Sequence, residues 1–210
     1  MNADLNISPT YPNHSVDWRY LLPISMNGKV LYVGERTNDV TRSFEQIGIP
    51  LFIWESTVSL TDTFTLGFVP ATFDAVVIPF GLLPESPLGR SGKVNVYQAA
   101  HRLIREGGAL LIGFSNKWFA RGKHISSAAP NRIQQLLRQA GYSSTNIYAA
   151  YPTLTTPEYI FPLTSATLNF VLRFHYRNKL PKVILRVLSI PLVSGELLNL
   201  LPYYFAVAKV

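Results

Sequence analysis

Short apolar runs alternate with segments of helical spacing over the first two thirds of the chain. The apolar runs are KVLYVG (29–34), PLFIWES (50–56), FDAVVIPFG (73–81) and ALLIGF (109–114). The segments DVTRSFEQIG (39–48), VNVYQAAHRLIREGG (94–108) and NRIQQLLRQAGY (131–142) have helical spacing, with glycines at or beside their ends. Unbroken apolar strands separated by helices predict an α/β fold whose mostly parallel sheet is covered on both faces.

A sheet of this kind binds ligands beyond the carboxyl ends of its strands. The stretches that follow the four apolar runs are residues 34–38, 55–57, 79–82 and 115–118. We therefore expect a functional site to be assembled from these stretches.

The pattern changes after residue 145. TLNFVLRFHYRNKL (167–180) and KVILRVLSI (182–190) are basic and apolar with helical spacing, whereas the terminal PYYFAVAKV (202–210) has the aromatic and β-branched content of a strand. We predict an N-terminal arm (1–27), an α/β core (28–155), a basic-apolar helical insertion (156–202) and a last strand (203–210) that returns to the sheet.

The net charge of +7 is unevenly distributed. Residues 1–106 carry 8 basic and 10 acidic side chains, whereas residues 107–210 carry 11 basic and 2 acidic ones. Such a distribution fits a solubilising surface, and equally an anionic substrate, a membrane surface or an acidic partner protein. Nucleic acid is the least favoured partner because no recognition motif accompanies the charge.

The segment 168–201 concentrates this charge. Five basic residues in this segment are interleaved with apolar residues, and no acidic residue lies between Glu158 and Glu196. The basic residues are Arg173, Arg177, Lys179, Lys182 and Arg186. This composition favours a lid over a site. Peripheral contact with an anionic membrane and a protein–protein surface remain open alternatives.

Composition excludes several kinds of chemistry and location. The chain has no cysteine, so disulfides, thiolate nucleophiles and cysteine-ligated metals are excluded. The start lacks a basic region followed by an apolar core, and no uncharged apolar run reaches the roughly 18 residues that span a bilayer. No zinc spacing, P-loop or GxSxG element is present. We expect a cytoplasmic protein without a metal, peripheral at the membrane if the basic segment binds lipid.

The order of elements resembles that of the class I S-adenosylmethionine-dependent methyltransferases over residues 28–150 and 203–210. The residues that carry the resemblance are VLYVG, the acid Glu55 placed 21 residues after Gly34, FDAVVIPFGLL, AHRLIREGGALLIGF and LLRQAGY. The resemblance implies a Rossmann-like sheet with an antiparallel last strand, and S-adenosylmethionine as the cofactor.

The same resemblance implies which residues hold the cofactor. They lie after the first three predicted strands: Gly34, Glu35, Arg36, Asn38, Glu55, Pro79 and Phe80. Glu55 is expected to accept hydrogen bonds from both ribose hydroxyls, because a carboxylate about 20 residues after the glycine turn reaches the ribose. The alternative is an exposed acid that ends a strand.

The first loop departs from the family's pattern of an acidic residue followed by three glycines at alternating positions. Those positions are Tyr32, Gly34, Arg36 and Asn38, so one of the four matches. Asn38 tolerates positive φ better than most residues, but Arg36 would repel a sulfonium and attract a carboxylate or phosphate. Arg36 therefore binds the methionine carboxylate, binds a different anionic ligand, or fills an abandoned pocket through an ion pair with a neighbouring acid.

Few residues are candidates for catalysis or substrate binding. His124 follows the predicted fifth strand of the family's fold and is the best-placed base, with a surface position as the alternative. Asn116, Trp118 and Tyr151 are candidates for a substrate wall, with packing at the rim as the alternative.

The functional hypothesis is methyl transfer to a small molecule, glycan or peptide intermediate of a specialised biosynthetic pathway. The alternative is a non-methylating protein with the same fold. Such a protein would be a cofactor-less partner or binding subunit, or would use the pocket for another reaction on an anionic substrate.

Overall fold

The computed structural model describes residues 18–24, 28–34, 44, 48–54, 67–79, 90–116, 128–151, 153–154, 157–164, 166–167 and 201–210, with the backbone alone for 90–93. Within this part, seven strands form one sheet in the order β2-β1-β3-β4-β7-β5-β6. The strands are β1 (Val30–Val33), β2 (Leu51–Trp54), β3 (Phe73–Ile78), β4 (Ile104–Ser115), β5 (Ser144–Tyr151), β6 (Tyr159–Pro162) and β7 (Tyr203–Lys209). The helices are α1 (Arg90–Leu103), α2 (Pro130–Gln139) and the 3-10 helix Trp18–Leu21.

Strand directions confirm the predicted fold class. β1, β2, β3 and β4 run parallel, whereas β7 enters between β4 and β5 and is antiparallel to both. β5 therefore runs in the same direction as β4. The last strand returns to the sheet from a distant part of the sequence, as the terminal PYYFAVAKV predicts.

Both faces of the sheet are buried, which explains why its strands are continuous apolar runs. Along β1, Leu31 and Val33 pack with α1 and α2, whereas Val30 and Tyr32 face the opposite side. On that second side the cover includes Trp18, Leu22 and Phe44, which join Val30 and Tyr32 in one core cluster. We call the two sides the helix face and the arm face.

The end of α1 differs from the sequence prediction. The helix stops at Leu103, and the glycines predicted to close it lie inside β4. Phe73 pairs with Ile104 while Ala75 pairs with Ala109, so the intervening residues of β4 form a bulge. Gly107 has φ +77°, and a Cβ on Gly108 would lie 2.6 Å from the Asp74 carbonyl oxygen. The glycines therefore serve the bulge, because strand pairing already begins at Ile104.

The start of the predicted helical insertion is also different, because residues 159–162 form β6 instead of a helix. β6 pairs antiparallel with β5, and the Leu163 N–H donates to the Ile147 carbonyl at 2.8 Å. The aromatic and β-branched residues of β6 favour this extended conformation. Ala166 and Thr167 are helical, with the Thr164 hydroxyl accepting from the Thr167 N–H at 3.2 Å. Residues 168–200 lie outside the described part of the chain.

Candidate functional site

The carboxyl ends of β1, β2 and β3 lie side by side. Val33 pairs with Trp54, and the register between β1 and β3 brings Gly34 level with Pro79. Two sequence-predicted cofactor residues, Gly34 and Pro79, are thus adjacent at one edge of the sheet. In the sequence, Glu55 is the residue directly after Trp54, the last residue of β2.

Gly34 makes the turn that leaves β1. Its φ is +154°, a conformation that residues with a side chain rarely adopt, and its N–H donates to the Trp54 carbonyl at 3.1 Å. A Cβ at this position would lie 3.4 Å from the ring and hydroxyl of Tyr32. The buried phenol of Tyr32 thus occupies the space beneath the turn, where the family's pattern has an acidic residue.

A contact between Pro79 and Gly113 sets the path of the chain after β3. A Cβ on Gly113 would lie 1.7 Å from the Pro79 carbonyl oxygen and 3.2 Å from Cε1 of Phe205. The backbone carbonyl of Pro79 therefore lies against Gly113 on the arm face, at a distance that only glycine allows. Sequence reasoning missed Gly113, although an isolated glycine within a strand signals such a close approach.

Asn116 lies at the end of β4 in a buried hydrogen-bond network. Its N–H donates to the Pro202 carbonyl at 2.8 Å, and its amide Nδ2 donates to the Leu201 carbonyl at 3.2 Å. The Tyr204 hydroxyl accepts from the Leu201 N–H at 3.1 Å and is also hydrogen-bonded to the Asn116 side chain. Burial raises the pKa of Tyr204 to about 12 despite these hydrogen bonds. Asn116 is 1% exposed, so its observed contacts are with protein.

Tyr151 is the last residue of β5 and lies at the same edge. Ser115 and Ala150 both pair with Tyr203, so Asn116 and Tyr151 flank β7 at the same level. Because neighbouring strands are about 4.8 Å apart, the backbones of these two residues are roughly 10 Å apart. Tyr151 is partly exposed. The structure thus places Gly34, Pro79, Asn116 and Tyr151 along one edge of the sheet.

The other predicted site residues lie outside the described part of the chain. They are Glu35, Arg36, Asn38, Glu55, Phe80, Trp118 and His124. Their roles, and the substrate roles of Asn116 and Tyr151, remain predictions.

Two further features concern only the described residues. They contain no group of three or more acidic or histidine side chains arranged to hold a metal ion. They also contain no helix with the length and apolar character needed to span a bilayer.

Comparison with known proteins gives structural matches alone: no family model and no curated protein matches the sequence. An S-adenosylmethionine-dependent methyltransferase from Archaeoglobus fulgidus superimposes with a TM-score of 0.56 at 13% identity, over 88% of this chain and 86% of the other. Phosphoethanolamine N-methyltransferase 2 from Haemonchus contortus, solved with S-adenosylmethionine, has a TM-score of 0.51 at 11% identity, over 91% and 50%.

The chain spans about half the length of that second protein. A 1,6-didemethyltoxoflavin-N1-methyltransferase from Burkholderia thailandensis, solved with its substrate and S-adenosylhomocysteine, has a TM-score of 0.50 at 12% identity, over 87% and 71%. Together with the order and directions of the strands, these similarities show that the chain has the fold of the class I S-adenosylmethionine-dependent methyltransferases.

Proposed function

We propose that the protein binds S-adenosylmethionine and transfers its methyl group to a small molecule, glycan or peptide intermediate of a biosynthetic pathway. The observation that carries the proposal is the turn at Gly34. Its glycine-specific conformation occurs where β1 meets the ends of β2 and β3, and Glu55 follows β2 directly. The three solved structures described above are methyltransferases of the same fold, which supports the choice of cofactor.

The described residues fit this cofactor. Gly34 carries no side chain that would exclude a ligand from the end of β1, and the buried Tyr32 ring supports the turn from within the protein. The Glu55 carboxylate would accept hydrogen bonds from the ribose hydroxyls. The bound cofactor supplies an electrophilic methyl group on its sulfonium. The protein's own task is then to hold the acceptor in line and to exclude water.

The residues on the substrate side would orient the acceptor. Trp118 and Tyr151 offer flat surfaces for stacking, and the His124 imidazole would accept a proton where the acceptor must lose one. The basic segment 168–201 would cover this side or bring the protein to an anionic membrane. Flotation with anionic liposomes separates these two roles, because a segment that only covers the site leaves the protein in the lipid-free fraction.

Calorimetric titration with S-adenosylmethionine and S-adenosylhomocysteine tests the proposal. We expect both to bind, and Glu55→Ala to weaken binding by about 100-fold or more because two hydrogen bonds to a charged group are lost. Glu106→Ala is the matched control, since Glu106 is an exposed acid in the bulge of β4, on the opposite edge of the sheet. Absence of heat at millimolar ligand contradicts the proposal and favours the non-methylating alternative.

A second candidate follows from the single glycine in the first loop: a protein that kept the sheet and lost the cofactor. Arg36→Gly discriminates between the two. Tighter cofactor binding in this variant means that the guanidinium obstructs a relic pocket, whereas weaker binding means that Arg36 is a ligand of the methionine carboxylate.

A further inference from the structure

β2 is an outermost strand of the described sheet, and one of its two sides faces away from β1. The carbonyls of Pro50 and Trp54 accept hydrogen bonds at 3.1 Å from N–H groups at the two ends of β1. Because the peptide groups of a strand alternate between its two sides, Leu51 and Ile53 direct their N–H and C=O groups away from β1. No other described strand pairs with this outer side.

An exposed aromatic residue lies between these two positions. Phe52 is 43% exposed, although its ring packs edge-on against the buried ring of Phe73, with centroids 5.4 Å apart. Phe73 belongs to the core cluster of the helix face, so Phe52 projects from that same face. A ring held in this way loses little conformational freedom when it meets a partner, which favours its use in an interface.

The loop before β3 continues the apolar surface. The Phe68 ring contacts the rings of Trp54 and Phe73, with centroids 5.6 and 5.3 Å apart, which fixes this loop to the helix face beside β2. Val69, the next residue, is 73% exposed. We call the exposed apolar residues beside this strand the edge patch, which consists of Phe52, Val69, Pro70 and Ala71.

The edge patch and β2 carry no charged side chain. Charged residues and prolines commonly protect sheet edges from pairing. The opposite edge strand has both, since Pro162 ends β6 and Glu158 directly precedes it. β2 has neither between Leu51 and Trp54. Because two copies of a chain with a net charge of +7 repel each other, a charge-free edge favours contact between copies at this place.

We propose that β2 pairs antiparallel with β2 of a second copy of the chain, about a two-fold axis at Phe52. The outward-facing groups set the register: Leu51 of each copy lies opposite Ile53 of the other, and the outward N–H and C=O groups of these residues are all used. Phe52 then lies opposite Phe52 of the second copy in a non-hydrogen-bonded pair, where side chains approach most closely. The same residues serve both copies, as a closed two-fold interface requires.

Cross-linking tests this register, because the chain has no cysteine of its own. In the proposed pair the two Cα atoms of residue 52 are about 4.5 Å apart, within the range that a disulfide bridges. Phe52→Cys should therefore oxidise to a covalent dimer at least about ten-fold faster than Tyr20→Cys, since pairing raises the local concentration of the thiols. Tyr20 is the matched control, an aromatic residue that is 89% exposed in the 3-10 helix, outside the edge patch. Equal rates for the two variants overturn the proposal.

Light scattering during size-exclusion chromatography measures association without a cross-link. We expect the mass of the wild type to rise from 23.5 kDa toward twice that value as its concentration increases. Val69→Lys should weaken association at least about ten-fold, because each copy then adds a positive charge to the interface. Tyr20→Lys introduces the same charge outside the edge patch and should associate as the wild type does.

Thermal unfolding separates a loss of association from a loss of folding. Val69→Lys should still unfold cooperatively, because the Val69 side chain is mostly exposed. A wild type that keeps the mass of one chain at every concentration overturns the proposal, as does a folded Val69→Lys variant that associates like the wild type. Neither experiment uses a cofactor, so the result is independent of the proposed function.

Discussion

Replacing Gly113 with alanine tests whether the close approach of Pro79 to β4 shapes the candidate site. The added methyl group would lie 1.7 Å from the Pro79 carbonyl oxygen, so the two backbones must separate by about 1.5 Å or more to reach an ordinary contact. The neighbour is backbone, which cannot rotate away as a flexible side chain does. Cε1 of Phe205 would lie 3.2 Å from the same methyl group, which further restricts the space available to it.

The expected cost is about 3 kcal/mol, the upper part of the range for overpacking a core. At about 2 to 4 °C per kcal/mol for a chain of this size, thermal unfolding should shift down by about 6 to 12 °C. Because Pro79 and the residue after it belong to the proposed cofactor site, affinity for S-adenosylhomocysteine should fall as well. Differential scanning calorimetry and isothermal titration measure the two effects.

Gly48→Ala is the control for this experiment. Gly48 has φ +71°, and no described residue has an atom within 4 Å of the position that a Cβ would take there. Alanine at this position therefore costs about 1 kcal/mol of backbone strain and meets no steric barrier from the described part of the chain. We expect lower stability with unchanged affinity. If Gly113→Ala unfolds at the wild-type temperature and binds ligand as the wild type does, the contact between Pro79 and Gly113 does not shape the candidate site.

Three further predictions concern buried polar groups. Tyr97→Phe should leave stability unchanged or raise it by about 1 kcal/mol, because no described residue forms a hydrogen bond with its buried hydroxyl. Tyr142→Phe should lower stability by about 1 kcal/mol, because the Tyr142 hydroxyl donates a hydrogen bond to the Tyr97 carbonyl. Urea unfolding of both variants measures the difference. Burial raises the pKa of Tyr204 to about 12 from its ordinary 10, so the neutral hydroxyl contributes fully to the free energy of unfolding below pH 10. This contribution, roughly 2 to 3 kcal/mol, is lost between pH 10 and 12. The free energy of unfolding measured across this interval should therefore fall more steeply in the wild type than in Tyr204→Phe. Asp74→Ala should cost about 2 kcal/mol, because its buried carboxylate accepts the Lys29 N–H at 2.8 Å, and an unchanged urea midpoint would contradict this.

Several strands and helix ends could be predicted from the pattern of neighbouring residues alone. β1 and β3 are continuous apolar runs because both of their faces are buried, and α2 ends where Gly141, with φ +103°, permits the turn. The turn at Gly34 was predictable for the same reason, since a glycine directly after a buried strand marks a change of direction.

The missed features depend on contacts between distant residues. A glycine pair after a helix predicts a helix cap. Gly107 and Gly108 instead lie in a bulge of β4, because Ile104 already pairs with Phe73. The partners of Asn116 are 85 and 86 residues away along the chain, so their identity requires the position of β7. Likewise, β6 is a strand because β5 offers it a partner.

A crystal structure of the protein with S-adenosylhomocysteine shows whether the carboxyl edge formed by β1, β2 and β3 binds the cofactor. We expect a ligand that passes over Gly34 toward Pro79, with the Glu55 carboxylate within hydrogen-bond distance of both ribose hydroxyls. A ligand bound elsewhere on the protein, or an edge that stays empty at saturating ligand, would refute the proposed cofactor site.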